Sequence, residues 1–236
     1  MSDRLRFLSF LVLFLFFTLS LQAQDLLTEI QEAHGGIINL DQRLEYEIRG
    51  TLQKGERTVP FVLKVSGEKS RLRLPGRVFI KHGFTGQWWA ADGRISVPKR
   101  AWEGLRELYL LPFFPVRELA AHYRYLGVRS GWDTFVQRIE RPTHIGYHLK
   151  TPVVRLSFHR QTHLLKNALF ATLERNQSPV EITYSRYRLF EGIPIPTVVT
   201  RQVGDAPVWT CTIRTVDFDP EFSAGDFDFR SRGGAQ

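Results

Sequence analysis

The sequence predicts a mainly β protein, a single curved antiparallel sheet or open barrel of about ten to eleven short strands, with short helices covering one face. Three observations predict it. Apolar and polar residues alternate with period two through most of the chain, as where Leu44, Tyr46 and Ile48 interleave with Glu45, Glu47 and Arg49. Turn-forming residues such as Lys54-Gly55, Asp92-Gly93, Gly192 and Gly204-Asp205 punctuate those runs at short intervals. Aromatics make up 13% of the 236 residues, 18 of them Phe, which suits a chain that fills a large apolar interior.

The elements follow in order. Arg4 and Arg6 precede an uncharged run from Phe7 to Leu21, and Leu21-Gln22-Ala23 offers a small residue before Gln24. These are the three parts of a secretory signal peptide, so residues 1–23 are expected to be removed and the protein exported in soluble form. The run is shorter than the roughly 20 apolar residues that a membrane span requires. Residues 24–236 are expected to form one domain, with a frayed tail at 230–236. Asp25 to His34 reads as a helix: Leu26, Leu27 and Ile30 share a face, and Gly35-Gly36 ends it.

Period two then takes over. Strands are expected around Leu44–Leu52, Val59–Val65, Leu72–Leu74, Val78–Ile80 and Gln87–Ala90, with Asp92-Gly93 as a hairpin turn. From about 101 to 125 the alternation stops. Trp102, Leu105 and Tyr109 make one helical stripe, and Val116, Leu119, Ala120 and Tyr123 make another. Pro112 and Pro115 forbid a regular helix between them. Strands resume at Ile145–Leu149, Val154–Phe158, Leu164–Leu173, Val180–Tyr187, Pro196–Val203 and Val208–Val216.

Several chemistries lack their residues. No G-x-S-x-G, H-E-x-x-H, G-x-G-x-x-G or phosphate-loop pattern occurs, and Ser66-Gly-Glu-Lys69 spells S-x-x-K only within a hairpin turn. His144 and His148 stand about four strand rises apart, too far to chelate together. His159 and His163 flank a turn without a completing Cys or carboxylate. Glu45 and Glu47 are expected to face water, and Asp217, Asp219 and Glu221 to lie in a polar C-terminal loop. The reading is therefore of a non-enzyme without metal or cofactor. Cys211, the single cysteine, cannot form an intramolecular disulfide and is expected to be a buried, inert thiol. The formal charge of +8 becomes +7 once Asp3, Arg4 and Arg6 leave with the signal. The basic residues are scattered, and outside the cytosol nucleic acid is not the expected partner.

Two features point to apolar ligands. Leu108-Tyr-Leu-Leu-Pro-Phe113-Phe114-Pro-Val116 is nine residues without a charge. It reads either as a kinked core plug or as a lid, with Leu108, Leu111, Phe113, Phe114 and Val116 closing over a concave apolar face. Trp88 and Trp89 place large rings on both faces of one strand. By strand parity, Tyr46, Phe61, Leu63, Leu156, Phe158, Ile182 and Tyr184 should share one inward surface, and these seven with Trp88 and Trp89 are the candidate ligand-binding residues of a cavity.

The export signal, the helix ending in EAHGG, and the segments LEYEIRGTL and FTGQWWAADG carry a resemblance. So do RLSFHRQTHLL, VEITYSRYRLFEGIPIP and TVDFDPEFSAGDFDF. Together they resemble the periplasmic lipoprotein-localisation carriers of the LolA/LolB-like superfamily. The resemblance implies a half-barrel of about eleven antiparallel strands wrapped over helices and enclosing an acyl-chain cavity. It implies a periplasmic monomer that takes up an acylated lipoprotein or lipid, with donor and acceptor proteins at the membranes. The expected function is that of a carrier or chaperone in the cell envelope. The alternative is an envelope sensor or protein-interaction module of the same fold with no transport role.

Overall fold

The structure is a computed structural model. It describes residues 24–36, 44–67, 69–82, 88–90, 116, 119–137, 153–171, 178–204, 206–223 and 225–228. Residues 1–23, Leu108, Leu111, Phe113, Phe114, the Asp92-Gly93 turn, the 145–149 strand and the 230–236 tail lie outside them. The backbone of Trp88 and Trp89 is described, but their side chains are not.

A helix, α1 (residues 24–33), opens the described chain. Twelve strands follow: β1 (Glu45–Lys54), β2 (Arg57–Ser66), β3 (Lys69–Leu74), β4 (Arg77–His82), β5 (Trp88–Ala90), β6 (Tyr123–Arg129), β7 (Trp132–Gln137), β8 (Val153–His159), β9 (Leu165–Ala171), β10 (Val180–Phe190), β11 (Ile193–Val203) and β12 (Ala206–Asp217). A one-turn helix, α2 (Leu119–His122), sits just before β6. All twelve strands form one antiparallel sheet in the order β5-β4-β3-β2-β1-β12-β11-β10-β9-β8-β7-β6. The sheet is open, with β5 and β6 at its edges. Among the described strands, only the β1–β12 pairing joins strands distant in sequence, so two meanders are stitched together by the last strand.

The expected mainly β architecture is the one observed, with two differences. The helical reading of 101–125 runs too far, because Tyr123 already begins β6. The spacing Leu119, Tyr123 fits a helix, but Tyr123 and Tyr125 equally fit a strand, and pairing with β7 decides the matter. The β6–β7 hairpin was not expected. Its turn is Ser130-Gly131, both at positive φ, the conformation that a tight two-residue connection demands.

Prolines mark a local edge inside the sheet. Pro194 and Pro196 lie in β11, a central strand, where an absent N–H would normally break a ladder. Both pair with β10, opposite Leu189 and Tyr187, whereas the β12 register on the other side begins only at Val198. The prolines occupy a stretch of β11 whose second neighbour has not yet joined.

The core lies on one face of the sheet. Ile48, Phe61, Leu63, Leu72, Phe79, Phe135, Leu156, Phe158, Ile182, Tyr184, Val199 and Ile213 are buried in one cluster, together with Ile30 of α1 and with Val116 and Leu119 around α2. Burying each such aliphatic or aromatic side chain stabilises the fold by about 1.5–3 kcal/mol. Gly50 permits the closest approach. A Cβ there would stand 2.1 Å from the Thr212 carbonyl oxygen and 2.9 Å from the Phe61 ring. Gly50 sits beside the register shift between β1 and β12, where Arg214 is the extra, unpaired residue of β12.

Candidate functional site: the concave apolar face

The inward face is built from register rows that cross the sheet. One row runs Tyr125–Phe135–Leu156–Ala168–Ile182–Arg201–Trp209, each residue opposite the next on β6, β7, β8, β9, β10, β11 and β12. A second runs Phe79–Leu72–Leu63–Ile48–Val216 across β4, β3, β2, β1 and β12. Side chains opposite one another point to the same face, and the register shift on β12 returns Val216 to the face of Trp209, so these rows make one continuous surface. Phe61, Leu63, Leu156, Phe158, Ile182 and Tyr184 all belong to it and are buried, and Tyr46 is half-buried against the same cluster, opposite Val65. Burial pushes the Tyr46 hydroxyl up to about 12, so it remains protonated. Val116 is buried in the cluster too, and it is the one residue of the expected lid that is described. Trp88 and Trp89 stand opposite Lys81 and Ile80 on the β5 edge.

α1 is fastened at one end of this face by a histidine. His34 is fully buried, and its Nδ1–H donates to the Ile30 carbonyl at 2.7 Å. The Leu165 backbone N–H donates to its Nε2 at 3.2 Å. One donor and one acceptor on the same ring require the neutral imidazole. Burial supplies the energy for that choice, lowering the His34 pKa to about 4 despite the Ile30 hydrogen bond. The Leu165 carbonyl accepts from Tyr187 Oη at 2.6 Å, so side chains satisfy both of its backbone groups. The helix then stops at Gly35-Gly36, whose φ values of 103° and 80° suit glycine, and Gly36 N–H caps the Gln31 carbonyl at 2.9 Å. A Cβ on Gly35 would come within 3.2 Å of Ile193, so the helix end rests on the start of β11.

Polar groups on this face escaped the sequence reading. Arg201 is 7% exposed and stands between Ile182 and Trp209 in the long row. Trp209 is 6% exposed. Asp133 is buried opposite Phe158 and accepts a hydrogen bond of 2.7 Å from the Tyr125 hydroxyl. Burial, the bond to Asp133 and its charge together raise the Tyr125 pKa to about 12. Arg201 alternates correctly with Val199 and Thr197, but parity alone does not say that a charged side chain follows its strand inward.

On the convex face, one expectation needs correcting. Glu47 does not face water: it is 8% exposed, pairs with Arg49, and lies 3.8 Å from Lys64. Lys64 also ties it to the C-terminal segment, which folds back over β2 and β3. Asp226 accepts from Lys64 Nζ at 2.9 Å and from Arg71 Nη1 at 3.2 Å, and Lys64 stands over the Phe222 ring. Burial alone would raise the Asp226 pKa, but the hydrogen bonds from Lys64 and Ser223 and the charge of Lys64 lower it overall. Sequence reading saw a polar loop, and the tertiary structure makes it a clasp.

His144 and His148 lie outside the described residues, and Ser66, His159 and His163 have structural partners. Ser66 Oγ donates to Glu45 in the β2–β3 turn. His159 Nδ1 accepts from the Gln161 and Thr162 N–H groups, and His163 Nε2 lies 3.6 Å from Glu29. Among the described residues no group of three or more His, Cys, Asp or Glu could hold a metal ion. Cys211 is buried opposite Val199, and burial pushes its thiol pKa up. No described helix is long and apolar enough to cross a membrane.

Compared by sequence, the chain matches no protein-family profile and no curated protein. Compared by structure, it is similar to a LolA superfamily protein from Nitrosomonas europaea, with TM-score 0.52 and 10% identity over 87% of this chain and 97% of that one. It is also similar to a DUF1329 family protein from Desulfovibrio piger, with TM-score 0.50 and 12% identity over 85% of this chain and 97% of that one. The chain therefore has the LolA-like fold that its sequence segments led one to expect.

Proposed function

We propose that the protein is a non-enzymatic binder of acyl chains in the cell envelope, a carrier or chaperone for lipids or acylated lipoproteins. One observation carries this reading: the seven-strand register row gives a continuous inward face on an open sheet, apolar but for Arg201 near its β12 end. Such a face needs no precise polar complement to hold a chain, because each buried methylene contributes about 0.8 kcal/mol. The ligand replaces the side chains that cover the face, among which Val116 and Leu119 are buried in the same cluster. Leu108, Leu111, Phe113 and Phe114, which precede them, complete that cover in this proposal. Tyr46, Phe61, Leu63, Leu156, Phe158, Ile182 and Tyr184 then line the ligand site, with Trp88 and Trp89 at its β5 edge. Release follows when a membrane or a partner protein offers equal burial.

Residues 1–23 fit this role as a cleaved signal peptide that delivers a monomer to the periplasm. The test is native mass spectrometry of the protein purified without detergent. Acyl-bearing adducts are expected. A uniformly unliganded mass, together with a stable protein partner, would instead assign the fold to an envelope sensor.

A further inference from the structure

The inward face is mostly apolar, and one of its hydrogen-bond donors has no acceptor among the described residues. Trp209 Nε1 is buried without an acceptor among the described residues, and the whole residue is only 6% exposed. An indole N–H in such surroundings normally finds a partner, since burying it unpaired is costly. Its place is equally specific. Trp209 ends the row Leu156–Ala168–Ile182–Arg201–Trp209, beside the buried Arg201, and Tyr184 is one row further down the same face. Arg201 is already engaged within the protein, so it enters here only as a neighbouring cation. The position lies far along β11 from the point where α1 ends. Ile193, against which α1 ends, and Arg201 are eight residues apart on β11, about 26 Å along the strand.

We infer that Trp209 is the head-group end of the ligand site, and that its indole N–H donates to the carbonyl oxygen at the head of an acyl chain. The chain itself lies down the apolar rows toward α1. This inference rests on the reading of the inward face as an acyl-binding surface and adds polarity to it, since a ligand would bind in one direction. The carbonyl can belong to an ester, as in a lipid or an acylated protein, or to a free fatty acid.

The indole region of a 1H–15N correlation spectrum tests this. The chain has five Trp residues, and Trp209→Phe identifies the relevant peak by its loss. The probes are methyl dodecanoate, sodium dodecanoate and dodecane. A downfield shift of the Trp209 peak with methyl dodecanoate, but not with dodecane, is expected. The variant should bind the ester about 3- to 10-fold more weakly and dodecane unchanged. A shift with dodecanoate alone would assign the site to free fatty acids, and a shift with both would assign it to the shared carbonyl. If all three probes bind but the peak stays still and the variant binds equally well, the head-group assignment is wrong while the acyl-binding reading stands. If none binds the intact protein, both fail.

Discussion

Protonation of His34 should unfasten α1, and the size of the effect follows from the structure. The ring is neutral because it gives one hydrogen bond to Ile30 and accepts one from Leu165 in a fully buried position. Its pKa is about 4 in the folded protein against an ordinary 6.5. Between those values the unfolded chain carries a proton that the folded chain does not. Stability therefore rises with pH across that window, is complete above about pH 6.5, and is lost as pH falls toward 4. Each unit of difference corresponds to about 1.4 kcal/mol, so the His34 contribution lost by pH 4 is about 3 kcal/mol. For a domain of ordinary stability that is a large fraction of the total. The comparison variant is His34→Gln, whose amide supplies both a donor and an acceptor but does not titrate. Urea unfolding followed by circular dichroism at several pH values from 7.5 to 4 measures the difference. The wild-type curve should fall below the variant's by about 3 kcal/mol more at pH 4 than at pH 7.5. Parallel curves would refute the reasoning and show that His34 is hydrated or that α1 detaches before it titrates.

Gly50→Ala should destabilise by about 1–3 kcal/mol or more, because its new Cβ meets the Thr212 carbonyl, which is backbone and cannot rotate away; thermal unfolding reads this directly. Leu156→Ala, at the middle of the long register row, should cost about 2–5 kcal/mol in urea unfolding, whereas the same change at exposed Leu189 should cost almost nothing. Asp226→Asn should loosen the C-terminal clasp, exposing residues 219–228 to protease while leaving the sheet folded. Because the Asp226 pKa is lowered, acid should mimic that variant as pH falls below the ordinary carboxylate range.

Much of the fold was legible because a half-buried sheet writes itself as alternation. Phe61 and Leu63, Leu156 and Phe158, and Ile182 and Tyr184 each declared an inward side through period two, and all six lie in one buried cluster. The helix of residues 24–33 was equally legible, since Leu26, Leu27 and Ile30 share a face and Gly35-Gly36 can only end it. Where two periods overlap, the sequence was mute: Leu119, Tyr123 and Tyr125 fit helix or strand until β7 pairs with the second half of the segment.

Tertiary structure alone decided the rest. Which strand closes the two meanders, β12 beside β1, depends on contacts across more than 150 residues that no local pattern encodes. The neutrality of His34 depends on Leu165, the pairing of Lys64 on a C-terminal segment folding back across β2 and β3, and the isolation of the Trp209 indole on the row that ends there. Alternation reports the face on which a side chain stands. The charge it can carry and the partner it lacks are set by what the folded chain brings against that face, because desolvation and hydrogen bonding act through space and not along the sequence.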